Sequence, residues 1–266
     1  MPKHKSVLLH EVVESLDLKN GEVFVDATYG SGGHSKEILR QFPKVKVVTI
    51  DQDPLTGADI TGNFQDLDKL LADVRPDAIL FDLGISSDQL APSDGAGRGF
   101  SFQKDEPLDM RMSGKGITAA DILNSFDEHA IELILRGFGE EKFSKKIARE
   151  IVRRREIKPF ETTFDLVEVV GDRKGRIHPA TKVFQALRIA VNDELTALEV
   201  GLSKAWEILN PGGRLVVISF HSLEDRIVKN FFREKGEKRK PIVPSAEEVK
   251  RNPRSRNAKL RIIKKI

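Results

Sequence analysis

The segment Asp26-Ala-Thr-Tyr-Gly-Ser-Gly-Gly-His34 joins two unlike stretches of chain. Ahead of it, Val23-Phe-Val-Asp-Ala27 is β-branched and aromatic and has strand length. Behind it, Ser35 to Phe42 reads as a short helix. Glycines in such a turn let the backbone approach a ligand closely, and the helix start offers unpaired N–H groups. The turn is not a dinucleotide fingerprint, because Ser35 stands where a third glycine would have to follow Gly30 and Gly32. No Gly-Lys-Ser/Thr follows, so it is not a phosphate-binding loop either. A plain glycine turn with capping aspartates is the alternative.

Two further runs, Val45-Lys-Val-Val-Thr-Ile50 and Ala78-Ile-Leu-Phe-Asp-Leu83, also have strand length. Strand–helix–strand alternation predicts an α/β fold, a parallel sheet with crossover helices. Ligands of such sheets bind beyond the carboxyl ends of the strands, and two acids emerge there. Asp51, 18 residues past Gly33, stands where a carboxylate grips ribose hydroxyls. Asp82 opens Asp82-Leu-Gly-Ile-Ser-Ser-Asp-Gln89 and can accept hydrogen bonds from an amino group, helping to remove its proton as it is methylated. An acid ahead of Gly-x-Gly-Gly suits a cofactor that carries an amino-acid tail in place of pyrophosphate. S-adenosylmethionine (AdoMet) is the candidate, since its ammonium and sulfonium groups favour acceptors; Ser35 disfavours a nicotinamide oxidoreductase. Leu83, Gly84 and Ile85 stand where amino-methylating enzymes often carry Asp/Asn-Pro-Pro-aromatic, so a structural role for Asp82 stays open.

The chain has 266 residues, 39% hydrophobic and 32% charged, which suits one elaborated globular domain or two. No apolar run approaches the length of a membrane helix, and Glu11 and Glu14 interrupt any signal-peptide pattern, so a cytoplasmic location is expected. The absence of cysteine excludes disulfides, Cys-ligated zinc, iron–sulfur clusters and a thiolate nucleophile. Methylation of a pyrimidine at C5 normally needs a thiolate adding at C6, so a pyrimidine substrate would be modified on nitrogen or ribose oxygen. His10-Glu-Val-Val-Glu14 lacks the second histidine of a zinc-protease helix and the other histidines are scattered, so no protein-ligated metal is expected. Charge is uneven. Residues 233–266 hold 13 Lys/Arg against 4 Asp/Glu, the remainder 31 against 37, and Lys145 to Lys158 hold 7 against 2. Such excess can neutralise a phosphate backbone or form a solvated helix face.

Thr118 and Asp121 have capping-box spacing, and Phe143 to Arg155 is helical in pattern. Apolar residues from Phe184 to Leu209 step by 3 or 4, giving one long helix or two in series, until Pro211-Gly-Gly213 stops them. Arg214 to Phe220 reads as a strand and Ala258 to Ile263 as a final one; Trp206 reads as core. The expected organisation is a sheet domain over 1–106 and 201–266, with a basic tail, interrupted by a helical insertion over 107–200 for substrate recognition.

Taken together, Asp26 to Ser35, Asp51-Gln-Asp-Pro54, Asp82-Leu-Gly-Ile-Ser-Ser87, Pro107-Leu-Asp-Met-Arg-Met112, His178-Pro-Ala-Thr181, Ser219-Phe-His-Ser-Leu-Glu-Asp-Arg226 and Asn252-Pro-Arg-Ser-Arg256 resemble the ribosomal RNA small subunit methyltransferase H family nearly end to end. The resemblance implies a class I AdoMet-dependent methyltransferase (Rossmann-like) sheet with an inserted helical domain. It implies N4-methylation of a cytidine in the decoding region of 16S rRNA in the small ribosomal subunit. It carries cofactor contacts onto Gly32, Gly33, His34, Asp51, Phe64, Asp82 and Gln89. The chain departs from the family between Pro54 and Asn63, with little room for the customary helix and third strand, and it is short around Gly171–Arg176. Phe100 and Phe102, near Asp109, Arg111 and Met112, either stack a splayed base or anchor their loop. Asp109, Arg111 and His221 are candidates for the substrate, and Arg254 with Arg256, Lys259 and Arg261 for phosphate. Two other readings stand beside this one: an amino-methyltransferase acting on another RNA or DNA, and a non-catalytic AdoMet-binding assembly factor.

Overall fold

Strands buried on both faces need unbroken apolar runs, and that is how this sheet is built. The computed structural model describes residues 5–90, 97–171 and 178–266. In chain order it holds α1 (Leu9–Leu16), β1 (Val23–Asp26), α2 (Gly33–Gln41), β2 (Lys46–Asp51), β3 (Ile60–Thr61), α3 (Leu67–Leu71) and β4 (Ala78–Asp82). Then come α4 (Ser87–Leu90), α5 (Ala119–Ser125), α6 (Glu128–Gly137), α7 (Ser144–Arg155), α8 (Thr163–Val170) and α9 (Ala180–Asn192). The chain returns through α10 (Glu194–Ile208), β5 (Arg214–Ser219), α11 (Ser222–Glu234), α12 (Ala246–Arg251) and β6 (Lys259–Lys264).

The sheet runs β3-β2-β1-β4-β5-β6, parallel except for β6, which pairs antiparallel with β5. Chain order reverses between β1 and β4, the switch point at which open α/β sheets place ligands. Successive side chains feed opposite cores. Val25, Ile79, Phe81, Leu215 and Val217 pack with Leu198, Leu202 and Ala205 of α10 and Val228 and Phe232 of α11. Phe24, Leu80, Val216 and Ile218 pack on the other face with Val12, Val13 and Leu16 of α1 and Ile38 of α2. Trp206, expected in the core, is half-buried at its border.

A third strand survives the short Pro54–Asn63 return, reduced to two residues that pair Ile60 with Ile50 and Thr61 with Asp51. No helix precedes it. The return is closed by side chains instead: the Asp59 carboxylate accepts the Thr49 N–H and hydroxyl, and Thr49 Oγ1 accepts the Asp59 N–H. The apolar stretch from Phe184 to Leu209 is two helices, parted at Asp193, whose φ of 47° is left-handed.

Packing divides the chain into one unit of Met1–Ser86 with Leu195–Ile266 and a second of Ser87–Glu194. The second is a bundle of α5 to α9 around buried Ile122, Leu123, Ile131, Leu135, Ile147, Ile151, Leu166 and Leu187. The loop before α5 belongs to it. Asn192 donates to Met110 O and accepts the Met112 N–H, while Thr163 donates to Lys104 O and accepts the Glu106 N–H. Most of the shortened Gly171–Arg176 stretch and the first four residues lie outside the described residues. Among the described residues no helix is long and apolar enough to cross a membrane.

Candidate active site

The glycine turn leaves β1 and enters α2 at the switch point. Gly32 is the N-cap, with φ 71°, and α2 has no side chain capping its start. A Cβ on Gly32 would lie 2.5 Å from the Tyr29 ring, so a side chain fits neither the backbone nor the space. Asp51, at the end of β2, holds the turn in place: Oδ2 accepts the Gly30 N–H and Oδ1 the Asp53 N–H, both at 2.8 Å.

Behind the turn lies a buried network. Asp26 accepts the Ser35 hydroxyl at 2.6 Å and the Thr28 N–H at 3.3 Å. Burial pushes its carboxyl up to about 6, despite the lowering effects of Ser35 and His34. Ser35, which the sequence marks only as a missing glycine, is therefore the partner of a buried acid. His34 is buried as well, with Nε2 3.1 Å from Val7 O and Nδ1 3.4 Å from Asp82 Oδ2. Burial pulls its pKa down, but the carboxylates of Asp82 and Asp26 outweigh this and hold it above the ordinary histidine value. Sequence spacing gives no hint of this contact, because it joins the first turn of α2 to the end of β4, which meet only through the pairing of β1 with β4.

Asp82 itself donates its N–H to Thr28 Oγ1 at 2.6 Å. Its Oδ1 is buried and, among the described residues, has no hydrogen-bond partner. A buried carboxylate oxygen without a donor is rare in a folded protein, and this one faces the need at the site where ligands of this sheet type bind. Chemically it can accept an N–H or take its proton. Phe64 follows β3 on a short 3-10 turn, half-buried, with its ring edge-on to Phe81 at a centroid distance of 5.2 Å. Gly201 of α10 makes room for it, since a Cβ there would lie 2.6 Å from the ring. The sheet thus brings Gly32, Gly33, His34, Asp51 and Asp82 to the carboxyl ends of β1, β2 and β4, with Phe64 beyond β3. Gln89 lies on α4, in the second unit.

Of the other candidates, His221 follows β5, the neighbour of β4 in the sheet, Arg254 precedes β6, and Asp109 and Arg111 belong to the second unit. Arg111 binds Asp109 through two hydrogen bonds, Nε to Oδ1 at 2.9 Å and Nη2 to Oδ2 at 2.7 Å, and reaches Gly116 O. Although burial raises it, Asp109 is held below the usual carboxylate range by Arg111. Buried Met110 between them is left-handed at φ 61°, so the pair fixes a strained loop. Phe100 is buried beneath Arg98, and Phe102 stacks on His178 at 4.8 Å and meets Phe184 edge-on at 5.5 Å, so both anchor the loop. His221 caps α11, accepting the Glu224 N–H at Nδ1. Arg254 is exposed on the turn Pro253–Asn257. In the basic stretch of α7, Arg155 donates to the carbonyls of Leu123 and Phe126, and Arg154 and Lys158 pair with Asp165. Much of that charge is structural.

A family model described as the MraW methylase family matches residues 1–266. The ribosomal RNA small subunit methyltransferase H of Caulobacter vibrioides (strain NA1000 / CB15N) is 46% identical, covering 97% of this chain and 94% of the relative. That of Carboxydothermus hydrogenoformans is 45% identical, covering 99% and 98%, and that of a Sulfurihydrogenibium species 46%, covering all of both chains.

Proposed function

The chain belongs to the MraW methylase family, and from that premise we propose that it methylates N4 of a cytidine in the decoding region of 16S rRNA in the small ribosomal subunit. It has a class I AdoMet-dependent methyltransferase fold, its donor is AdoMet, and small-subunit rRNA is its substrate class. Bound AdoMet supplies an electrophilic methyl group on a positively charged sulfur. Gly33 and His34 at the start of α2 offer backbone N–H groups and Gly32 a close backbone approach to its amino-acid end, Asp51 accepts from its ribose, and Phe64 borders its adenine.

The observation that carries the reading is the partnerless Oδ1 of Asp82. The exocyclic amino group of cytosine is a poor nucleophile, its lone pair being drawn into the ring, so orientation must supply much of the rate. Asp82 Oδ1 accepts one N–H, turns the amino nitrogen toward the methyl group and takes the proton released on methylation. His34, donating to the other oxygen, fixes the carboxylate. A chain without cysteine has no thiolate for C5 chemistry, which supports the amino nitrogen as acceptor. The second unit serves substrate recognition, with Asp109, Arg111, and from the first unit His221 and Arg254, contacting RNA. The setting is the cytoplasm.

The test is to offer methyl-labelled AdoMet with assembled small subunits, naked 16S rRNA and DNA in parallel, then digest to nucleosides. The expected label is in N4-methylated cytidine from the small subunit or its RNA. Label at C5, in DNA alone or in protein overturns the reading.

A further inference from the structure

The edge of the sheet farthest from β3 carries a second feature of the molecule. A cavity of about 310 Å³ runs along β6, the edge strand, between α11 and the segment that precedes α12. Six cations line it: Lys229 and Arg233 of α11, Lys238, Arg239 and Lys240 of the following loop, and Arg261 of β6. Glu237 is its single acid. Phe232, Leu260 and Ile242 contribute an apolar floor. The loop wall is held by a one-residue antiparallel bridge, in which Ile242 and Leu260 exchange two N–H···O bonds of 2.9 Å.

The charge here is not consumed by the fold. Arg239 pairs with Glu237 and Arg261 with Asp225. Among the described residues no ion pair engages Lys229, Arg233, Lys238 or Lys240. This contrasts with the basic stretch 145–158, where Arg154, Arg155 and Lys158 are tied to backbone carbonyls or to Asp165. Four unpaired cations gathered on one groove repel each other, and a polyanion relieves that repulsion. Because the unpaired cations are spread over α11 and the loop that follows it, they suit a ligand with repeated charges rather than a single phosphate. An apolar floor beneath cationic walls suits sugars and base faces beneath phosphates.

We propose that this groove binds the sugar–phosphate backbone of single-stranded RNA beside the nucleotide being methylated. β6 lies two strand spacings from β4, about 10 Å across the sheet, so the groove engages nucleotides flanking the target. The inference rests on the RNA reading of the substrate and adds a binding site to it.

The experiment uses the full chain with Lys238→Glu/Lys240→Glu and the milder Lys238→Gln/Lys240→Gln, each checked for an unchanged melting temperature. Binding to 16S rRNA is followed across a salt series, alongside subunit methylation and calorimetry with AdoMet. The Glu pair is expected to weaken RNA binding by tenfold or more at low salt and to raise KM for the subunit, with kcat and AdoMet affinity unchanged. The Gln pair should fall between it and wild type and flatten the log Kd against log salt slope by about 1.4, for two lost phosphate contacts. Wild-type affinity and slope in both folded variants overturn the groove while leaving the methylation reading intact. If wild-type protein binds RNA in a groove-dependent way but transfers no methyl group, the groove stands and the proposed function falls.

Discussion

Asp82 and Asp26 are two acids of one network with opposite needs. Asp82 keeps a buried oxygen without a donor among the described residues, whereas Asp26 is satisfied by Ser35 and its carboxyl is pushed up by burial. If Asp82 orients the acceptor and takes its proton, Asp82→Asn lowers kcat by about 10²-fold or more; single-turnover methylation reads this directly, and a change under threefold would remove Asp82 from the chemistry. For Asp26 the sign follows from linkage. A carboxyl raised from 3.8 to about 6 in the folded protein favours folding when protonated, so its contribution is full below about pH 4 and is lost as pH rises through 6. His34, also raised, loses its contribution in the same direction as it deprotonates. Urea unfolding from pH 4 to 7.5 should show wild type losing stability relative to Asp26→Asn, on the order of 2 kcal/mol across the window. Parallel curves would contradict it. Gly32→Ala forces a left-handed residue against the Tyr29 ring, and should cost about 1–2 kcal/mol in urea unfolding together with weaker AdoMet binding.

At the scale of elements, local signals proved readable and meetings between distant loops did not. The Thr118–Asp121 capping box opens α5 as its spacing predicts, and β1, β2, β4 and β5 fall within a residue of their apolar runs. The short return before β3 was legible as a shortage of residues, but its solution, Asp59 closing onto Thr49, depends on geometry that no local pattern encodes. The same holds for His34. As a residue in a glycine turn it is unremarkable; only the pairing of β1 with β4 sets its ring beside Asp82. Of the two roles the sequence leaves open to the aromatic residues of the polar loop, Phe100 and Phe102 fill the anchoring one. Asn192 is the pin of that loop, bonded to Met110 and Met112 from the end of α9. Asn192→Ala leaves those backbone groups unpaired, costs about 1–3 kcal/mol and should raise hydrogen exchange across 97–116; unchanged protection there would mean that the loop is held by other contacts.

Across the whole molecule, the parallel sheet does two separate jobs. Its middle, β1 and β4, carries the glycine turn and Asp82, where strand order reverses; along its β6 edge, α11 and the loop after it gather unpaired positive charge. The tail's net positive charge was plain from composition, but which cations are free to meet phosphate was not, because that depends on which carbonyls and acids the fold brings to them. A cofactor that fits only the folded turn must also stabilise the chain: AdoMet at 100 times its Kd should add about 2.7 kcal/mol to unfolding. The most direct test of the account is titration calorimetry of AdoMet, and of its demethylated product, into wild type and Asp51→Ala. The account predicts saturable binding of both by wild type and at least tenfold weaker binding by the variant. A wild-type protein that releases no heat with either ligand, or a variant that binds as tightly as wild type, would contradict it.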